Sequence, residues 1–320
     1  MAEPQPGVIW VEPFAGTLAV WTALHLGRPM PPIAYMGSKR RFAAAILGAL
    51  RLSPGQGARG LVAADPGPWG RCWSILSTPA GVAAVAQELL AWEGREIRGL
   101  WAELVERPLA PGWLDSEAPI TPLDVAIYLI LQGRAAGNVP IYAREAGWRA
   151  HQGNEGSDRY EDRARQTHAS RWVGHFGSSG QQERAACGKG EARGGIGGLK
   201  SPATVARRIL HLHLHPWPSF SLHRRADEIP IPRDASEYRV YLDPPYRDCT
   251  GYVERPERVE VLRLADRWRS AGAVVAISET VGLSAELGWG HEIRLAPREV
   301  LTLSRPPGRQ GEQLSLLEVA

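Results

Sequence analysis

Cysteine is scarce in this chain and forms none of the patterns of disulfide-rich or zinc-binding proteins. The 320 residues include three cysteines, Cys72, Cys187 and Cys249, which are far apart and form no Cys-x-x-Cys pair. An odd number of widely spaced cysteines argues against a disulfide framework. We therefore expect reduced thiols and a cytoplasmic location.

Long apolar runs and a recognisable targeting segment are also absent. No run approaches the roughly 20 apolar residues that a membrane-spanning helix needs. The first ten residues, MAEPQPGVIW, lack the basic start and apolar core of a signal peptide. These absences predict a soluble protein with no membrane partner.

Two enzyme fingerprints are missing where the fold would require them. The turn after the first apolar strand does not carry the G-x-G-x-x-G sequence of dinucleotide-binding proteins. The chain also lacks the G-x-S-x-G nucleophile elbow of α/β-hydrolases. Dehydrogenase and hydrolase functions are therefore disfavoured.

Apolar patterns that alternate between strand and helix periods run through most of the sequence. Strands are predicted at 8–11, 60–64, 238–246 and 273–280, helical segments at 39–50, 80–105, 121–135 and 256–271, and a hairpin at 292–305. Alternating strands and helices indicate an α/β fold with a doubly wound, mostly parallel sheet.

A basic, glycine-rich stretch interrupts this pattern. Residues 140–202 are poor in aliphatic side chains and are predicted to be an insert in one domain formed by 1–139 and 203–320. Residues 142–225 contain 14 Lys or Arg against 7 Asp or Glu, so the rest of the chain has a net negative charge. The insert also contains aromatic residues, at Tyr142, Trp148, Tyr160, Trp172 and Phe176.

Basic and aromatic side chains in one segment are typical of nucleic-acid binding, because cations neutralise phosphates and aromatic rings stack on bases. We predict that the insert binds DNA through its basic residues. They are Arg144, Arg149, Arg163, Arg165, Arg171, Lys189, Arg193 and Lys200. The alternative is a solvated loop without a ligand.

Three predicted strands end in residues suited to ligand binding. They run into EPFAG (12–16), AADP (63–66) and LDPPY (242–246). Ligands of doubly wound sheets bind outside the carboxyl ends of the strands. Gly16 would let the backbone approach a ligand, and Asp65 could accept hydrogen bonds from both hydroxyls of a ribose. Each of these two could also be an ordinary turn residue.

The DPPY segment is the most specific of the three. Two prolines fix φ and remove two backbone donors, which leaves the Pro244 carbonyl available to a ligand. Asp243 adds a charged acceptor and Tyr246 a flat stacking surface. Together they predict a socket for a planar group with an exocyclic amine, such as a nucleobase.

These segments resemble the Dam-like DNA adenine-N6 methyltransferases. The similarity covers VEPFAG, AYMGSKRRFAAAIL, LVAADPGPWGRCWSIL, LDVAIYLILQGRAAGN, YLDPPYRDCTGY, AISET and REVLTLS. The Gly-Ser-Lys segment follows EPFAG by about 20 residues, whereas the corresponding motif usually precedes it in the family. Ser304 stands where the family commonly has asparagine.

The resemblance implies a Rossmann-like methyltransferase fold with an inserted target-recognition region, and S-adenosyl-L-methionine as cofactor. It implies a catalytic motif formed by Asp243, Pro244, Pro245 and Tyr246. The implied cofactor-binding residues are Glu12, Pro13, Phe14, Ala15, Gly16, Thr17, Tyr35, Gly37, Ser38, Lys39, Asp65 and Asp243. The implied reaction is direct methyl transfer to the N6 atom of a flipped-out adenine.

Several alternatives stay open at this point. The same socket would suit a cytosine-N4 or an RNA adenine methyltransferase, and a decayed, non-catalytic DNA-binding protein is a further possibility. Gln313–Leu317 (QLSLL) resembles the peptide by which bacterial DNA enzymes bind the sliding clamp, and an amphipathic end that packs on the domain is the alternative. The alternating HLHLH run at 211–215 predicts a polar strand or a DNA-facing surface, and no metal site.

Overall fold

A computed structural model describes residues 7–33, 38–95, 100, 103–104, 119–132, 201–246 and 256–307. The chain forms two compact units, one of residues 1–31, 38–77 and 212–320, the other of residues 32–37 and 78–211. Residues 140–200 lie outside the described ranges, so the predicted insert boundaries stay a prediction.

The first unit contains a seven-stranded mixed sheet. Its strands are β1 (Ile9–Glu12), β2 (Gly60–Ala64), β3 (Ser219–His223), β4 (Tyr238–Leu242), β5 (Val274–Glu279), β6 (His291–Ala296) and β7 (Glu299–Leu303). The order is β3-β2-β1-β4-β5-β7-β6. The first five strands are parallel, and β7 is antiparallel to both β5 and β6. The predicted mostly parallel α/β sheet and its hairpin are confirmed.

The described helices lie between these strands in the chain. In chain order they are α1 (Ala19–Leu26), α2 (Ala43–Ala49), α3 (Pro68–Leu76), α4 (Pro79–Leu90), α5 (Pro122–Gln132), α6 (Pro202–His211), α7 (Arg258–Ser270) and α8 (Ser284–Leu287). Short 3₁₀ turns occupy Lys39–Arg41 and Ala226–Glu228.

One face of the sheet is covered by the amphipathic helix α7. Its Leu264 and Trp268 pack in one apolar cluster with Val11 of β1, Val240 of β4 and Val275 of β5. Burial of apolar surface of this kind is the main stabilising contribution to the fold.

The opposite face of the same strands carries polar and aromatic side chains. The Trp10 and Tyr241 rings lie 6.3 Å apart, and the Tyr241 hydroxyl is 2.8 Å from the Ser278 hydroxyl. Because side chains alternate along a strand, Glu12 follows Trp10 on this face and Asp243 follows Tyr241. Both carboxyl groups are therefore directed to the same side of the sheet.

The second unit is helical in the part that the structure describes. Helix α4 packs against α5 and α6. Thr78 caps α4 by accepting a hydrogen bond from the Gly81 N–H, and Thr121 and Asp124 exchange hydrogen bonds at the start of α5. The predicted start of α5 is confirmed. In the stretch 80–105, which was predicted to be helical, α4 ends at Leu90 and residues 91–94 form turns, and the described residues 100 and 103–104 are again helical.

The strand predicted for the His-Leu run at 211–215 is wrong. Helix α6 continues to His211, and a turn follows it. His213 then stacks on Trp217 with ring centroids 5.1 Å apart, while its Nε2 lies 2.9 Å from the Leu76 carbonyl oxygen. The period-2 pattern therefore reflects a helix end and an aromatic contact. Within the described ranges, no group of three or more His, Cys, Asp or Glu could hold a metal, and no helix is long and apolar enough to cross a membrane.

Candidate functional site

The candidate site lies at the carboxyl edge of the parallel strands, where the strand order reverses between β1 and β4. Ile9 of β1 pairs with Gly60 of β2 on one side and with Tyr238 of β4 on the other. This register brings the segments after the three strands to the same edge. A topological switch point of this kind is where open α/β sheets bind ligands.

The turn after β1 has an unusual and well-fixed backbone. Gly16 adopts φ +44° and Leu18 φ +50°, both in the left-handed region. A non-glycine residue in this region costs about 1–3 kcal/mol and persists only where its surroundings enforce it. The surroundings are the buried Leu18 side chain, an Ala15 N–H bond to the Ala64 carbonyl at 2.9 Å, and a Trp73 indole bond to the Gly16 carbonyl at 2.7 Å.

Asp65 joins this turn to the turn after β2. Its Oδ2 accepts a hydrogen bond from the Gly16 N–H at 2.9 Å, and its Oδ1 accepts one from the Gly67 N–H at 2.8 Å. Burial raises the pKa of Asp65, while the two N–H groups oppose this shift. Each carboxylate oxygen can accept a further bond, so the ribose-binding role stays a prediction.

The carboxylate after β4 is part of a compact charged cluster. Asp243 Oδ1 lies 3.0 Å from Lys39 Nζ, and this nitrogen also lies 3.3 Å from Glu299 Oε2. Lys39 Nζ is 4.5 Å from the centroid of the Tyr246 ring. The Tyr246 hydroxyl donates to Glu299 Oε1 at 2.6 Å. An N–H donor is thus held between a carboxylate and an aromatic face.

Burial makes the charges in this cluster strongly interdependent. The Lys39 side chain is 7% exposed, against 19% for Asp243 and 8% for Glu299. Burial lowers the pKa of Lys39, but the two carboxylates outweigh it and the pKa is raised. Burial raises the pKa of Asp243 to about 6, although Lys39 opposes the shift. At neutral pH the ammonium and the Asp243 carboxylate are both charged.

Lys39 reaches this position from the Gly-Ser-Lys segment. The segment continues into the 3₁₀ turn Lys39–Arg41, and the Ser38 hydroxyl lies 3.0 Å from the Thr17 hydroxyl in the turn after β1. The family resemblance predicts cofactor binding by Ser38 and Lys39. In the structure the Lys39 ammonium forms ion pairs with Asp243 and Glu299. Tyr35 and Gly37, predicted for the same role, lie outside the described residues.

Glu12 is a buried acid at the end of β1. Its Oε2 accepts a hydrogen bond from the Trp10 indole N–H at 2.9 Å. Burial, with a smaller effect of the Asp243 charge, raises the pKa of Glu12 to about 8, and the Trp10 bond opposes the shift. Glu12 is therefore mainly protonated at neutral pH.

The other predicted residues of these two turns are apolar or proline. Pro13, Ala15 and Pro244 are buried, and Pro245 is half-buried. Phe14 packs against the apolar cluster under α7. These residues are placed at the site edge, but their predicted contacts to a cofactor or base remain untested.

Glu299 is a site residue that the sequence patterns did not identify. It opens β7, and because β7 runs antiparallel to β5, its first residue lies at the edge where β5 ends. Val300 pairs with Glu279, the last residue of β5. The available signal was a charged residue at the start of the apolar run EVLTL. That signal does not show which way the strand runs.

The predicted DNA-binding residues lie outside the described residues, as does the predicted clamp-binding segment Gln313–Leu317. The structure therefore describes the candidate catalytic and cofactor-binding edge, and the nucleic-acid and clamp contacts stay predictions.

No protein-family model matches the chain, and no curated protein matches it. A functional assignment therefore depends on the geometry of the carboxyl edge and on the motifs that form it. That edge combines an ionised carboxylate, an aromatic ring face and a fixed glycine turn. It is suited to bind an N–H donor on a planar group beside a second ligand.

Proposed function

We propose that this chain is an S-adenosylmethionine-dependent DNA methyltransferase that acts on the N6 amino group of adenine. The observation that carries the proposal is the position of Lys39 Nζ, 3.0 Å from Asp243 and 4.5 Å from the Tyr246 ring centroid. The site thus already holds one N–H donor, the Lys39 ammonium, between the Asp243 carboxylate and the Tyr246 ring. The amino group of a nucleobase has the same chemistry, with a planar ring that can stack on Tyr246.

The strand order of the sheet differs from that of dinucleotide-binding domains. Dinucleotide-binding sheets have the order 3-2-1-4-5-6, whereas here an antiparallel strand lies between β5 and β6. The chain does contain a G-x-G-x-x-G run, at Gly55–Gly60. It leads into β2 and does not connect a strand to a helix, so it does not fit the dinucleotide fingerprint.

The turn after β1 is open beside Gly16. A Cβ added at Gly16 would meet no atom within 4 Å, so the space beside this turn is open. By resemblance to the family, residues 12–17 would hold the methionine part and Asp65 the ribose. When bound, S-adenosylmethionine would supply the electrophilic methyl group, whose S–CH3 bond breaks as the N6–CH3 bond forms, with S-adenosylhomocysteine as the leaving group.

In the proposed reaction Asp243 and Tyr246 position the base. An adenine flipped out of the duplex would stack on Tyr246 and donate an N6 hydrogen bond to Asp243. Asp243 is ionised at neutral pH and can accept this bond, which orients the nitrogen lone pair away from the carboxylate. Fixed orientation of reacting groups can contribute about 7–11 kcal/mol at best. N6 releases a proton after methylation, and Asp243 is positioned to accept it.

The test combines methylation with cofactor binding. Purified protein is incubated with labelled S-adenosylmethionine and plasmid DNA, and the modified base is identified by sequencing. We expect N6-methyladenine from the wild type and at least about a 100-fold loss of labelling in Asp243→Ala, because the reacting nitrogen is no longer oriented. Calorimetry should show S-adenosylmethionine binding largely retained in this variant.

The matched control is Asp266→Ala, which removes an exposed carboxylate that pairs with Arg269 in the same helix. Its labelling should match the wild type. Wild-type-like turnover by Asp243→Ala would contradict the proposed role. Methylcytosine, or labelling of RNA alone, would assign the chain to a related reaction, and failure to bind S-adenosylmethionine would indicate a non-catalytic protein.

A further inference from the structure

Glu299 contacts both the Tyr246 hydroxyl and the Lys39 ammonium. Its Oε1 accepts the Tyr246 hydroxyl bond at 2.6 Å, and its Oε2 lies 3.3 Å from Lys39 Nζ. The side chain is 8% exposed, and a buried carboxylate is retained only when its charge is compensated. Here one oxygen binds a hydroxyl and the other an ammonium.

In this structure the Lys39 ammonium occupies the position that the substrate nucleobase would need. The ammonium contacts Asp243 Oδ1 and lies over one face of the Tyr246 ring. The proposed substrate would donate a hydrogen bond to the first of these groups and stack on the second. An adenine that stacks on this face and donates to this oxygen requires the ammonium to shift. Moving a buried ammonium away from its carboxylate is costly unless another anion compensates it.

We propose that Glu299 is a positioning residue that takes over the Lys39 ammonium when the substrate amino group reaches Asp243, while it holds the Tyr246 ring through the hydroxyl. This role rests on the proposed methyltransferase function. The required shift is small, because Lys39 Nζ is already within 3.3 Å of Glu299 Oε2. The exchange leaves each carboxylate with one cationic or N–H partner.

Within the described residues, five charged or titratable groups face Asp243. They are Lys39, Glu12, Tyr241, Tyr246 and Glu299. Among these, Lys39 holds down the pKa of Asp243 and Glu299 raises it. Loss of the Lys39 charge should therefore raise the pKa of Asp243, and loss of the Glu299 charge should lower it. A residue with a merely structural role would not change this pKa.

The experiment measures methylation kinetics of Glu299→Gln and Lys39→Met on duplex DNA over a range of pH. Gln keeps an acceptor for the Tyr246 hydroxyl but removes the charge that receives Lys39. We expect the KM for DNA to rise by about tenfold or more in Glu299→Gln, with a smaller fall in kcat, because a bond to a charged group is worth at least this factor. The acid limb of kcat/KM should move down by about one pH unit in Glu299→Gln and up by a similar amount in Lys39→Met.

Glu93→Gln, the same substitution at an exposed position, is the control and should match the wild type in all three measurements. Thermal unfolding checks that each variant folds. If Glu299→Gln is only less stable, with KM and the acid limb unchanged, Glu299 is a structural residue and the proposal is wrong. A wild type that methylates no nucleic acid would instead overturn the proposed function, and this role with it.

Discussion

Two acids of the candidate site, Glu12 and Asp243, have different protonation states at neutral pH because their partners differ. Glu12 has a neutral indole donor, and its pKa is raised to about 8. Asp243 has a buried ammonium, and its pKa is raised only to about 6. Pairs of acids with separated pKa values commonly divide the work of a catalytic site. In the proposed reaction the ionised Asp243 is the acceptor, and the protonated Glu12 adds no further negative charge beside it.

Substitution of Glu12 by Gln should change how stability depends on pH. In the wild type the folded pKa is about 8 against an ordinary value of 4.5, so the unfolded chain loses this proton first as pH rises. The free energy of unfolding should therefore fall by up to about 1.4 kcal/mol per pH unit across this window and then level off. Glu12→Gln keeps an acceptor for Trp10 and should lack this decline.

Urea unfolding of the wild type and Glu12→Gln between pH 5 and 9 measures the free energy of unfolding of each. The dependence of this free energy on urea concentration should be the same for both, which confirms that they expose similar surface on unfolding. The stability of Glu12→Gln relative to the wild type should rise steadily with pH. A constant difference across the range would show that Glu12 is not buried as an acid.

At the residue scale, part of the site could be predicted and part could not. Asp243 and Tyr246 belong to one contiguous motif, so the sequence alone was enough to make them candidates. The ion pair between Lys39 and Asp243 joins residues about 200 positions apart in the sequence. Glu299 reaches Lys39 only because its strand, β7, runs antiparallel to β5. Burial and strand direction arise from the whole sheet and leave little trace in local sequence.

At the scale of elements, the contact between β2 and α3 is unusually close. A Cβ added at Gly70 of α3 would lie 2.0 Å from the Asp65 carbonyl oxygen, which belongs to the backbone after β2. Only glycine allows this approach. The contact holds Asp65 where its carboxylate can bind the Gly16 N–H.

We therefore expect Gly70→Ala to destabilise the protein by about 1–3 kcal/mol, since the helix must shift to admit the methyl group. Affinity for S-adenosylmethionine should fall as well, because the shift also moves Asp65. Urea unfolding and calorimetry measure the two effects. Gly290→Ala is the control, because a Cβ there meets nothing within 4 Å. Unchanged stability of Gly70→Ala would mean that the helix adjusts without strain.

The elements themselves were predicted with uneven success, for physical reasons. Strand β2 has the predicted bounds, 60–64, because its apolar run ends sharply at Asp65. The helix predicted over 39–50 begins with a 3₁₀ turn, and its α-helical part is Ala43–Ala49. The HLHLH pattern misled because alternation over five residues does not separate a strand from a helix end.

At the scale of the whole molecule, positive charge is concentrated in one segment of the sequence. Residues 142–225 have an excess of 7 positive charges over negative ones, in a chain whose total is +3. If the segment contacts DNA phosphates, binding must weaken steeply as salt rises, because each neutralised phosphate releases counterions.

Substitution of Arg163 and Arg165 by Gln should lower the slope of log affinity against log salt by about 1.8, or about 0.9 for each phosphate that the protein no longer neutralises. These residues lie outside the described ranges, so the prediction depends on charge alone. Binding to unrelated duplexes at several salt concentrations measures the slope. Arg263→Gln with Arg267→Gln removes the same charge from the exposed side of α7 and should leave the slope nearly unchanged. Equal slopes in the wild type and the Arg163 and Arg165 variant would argue against phosphate binding by these two residues.

The reversed direction of β7 also has a consequence for the order in which the protein is assembled. Strand β6 leaves the ribosome before β7, yet in the described sheet it pairs with β7 alone, so it must wait for that strand. The same strand delivers Glu299 to Lys39, which was synthesised long before. Completion of the sheet and the second ion pair of Lys39, with Glu299, are thus one late event of biosynthesis. A nascent chain should remain unable to bind its substrate productively until β7 has been translated.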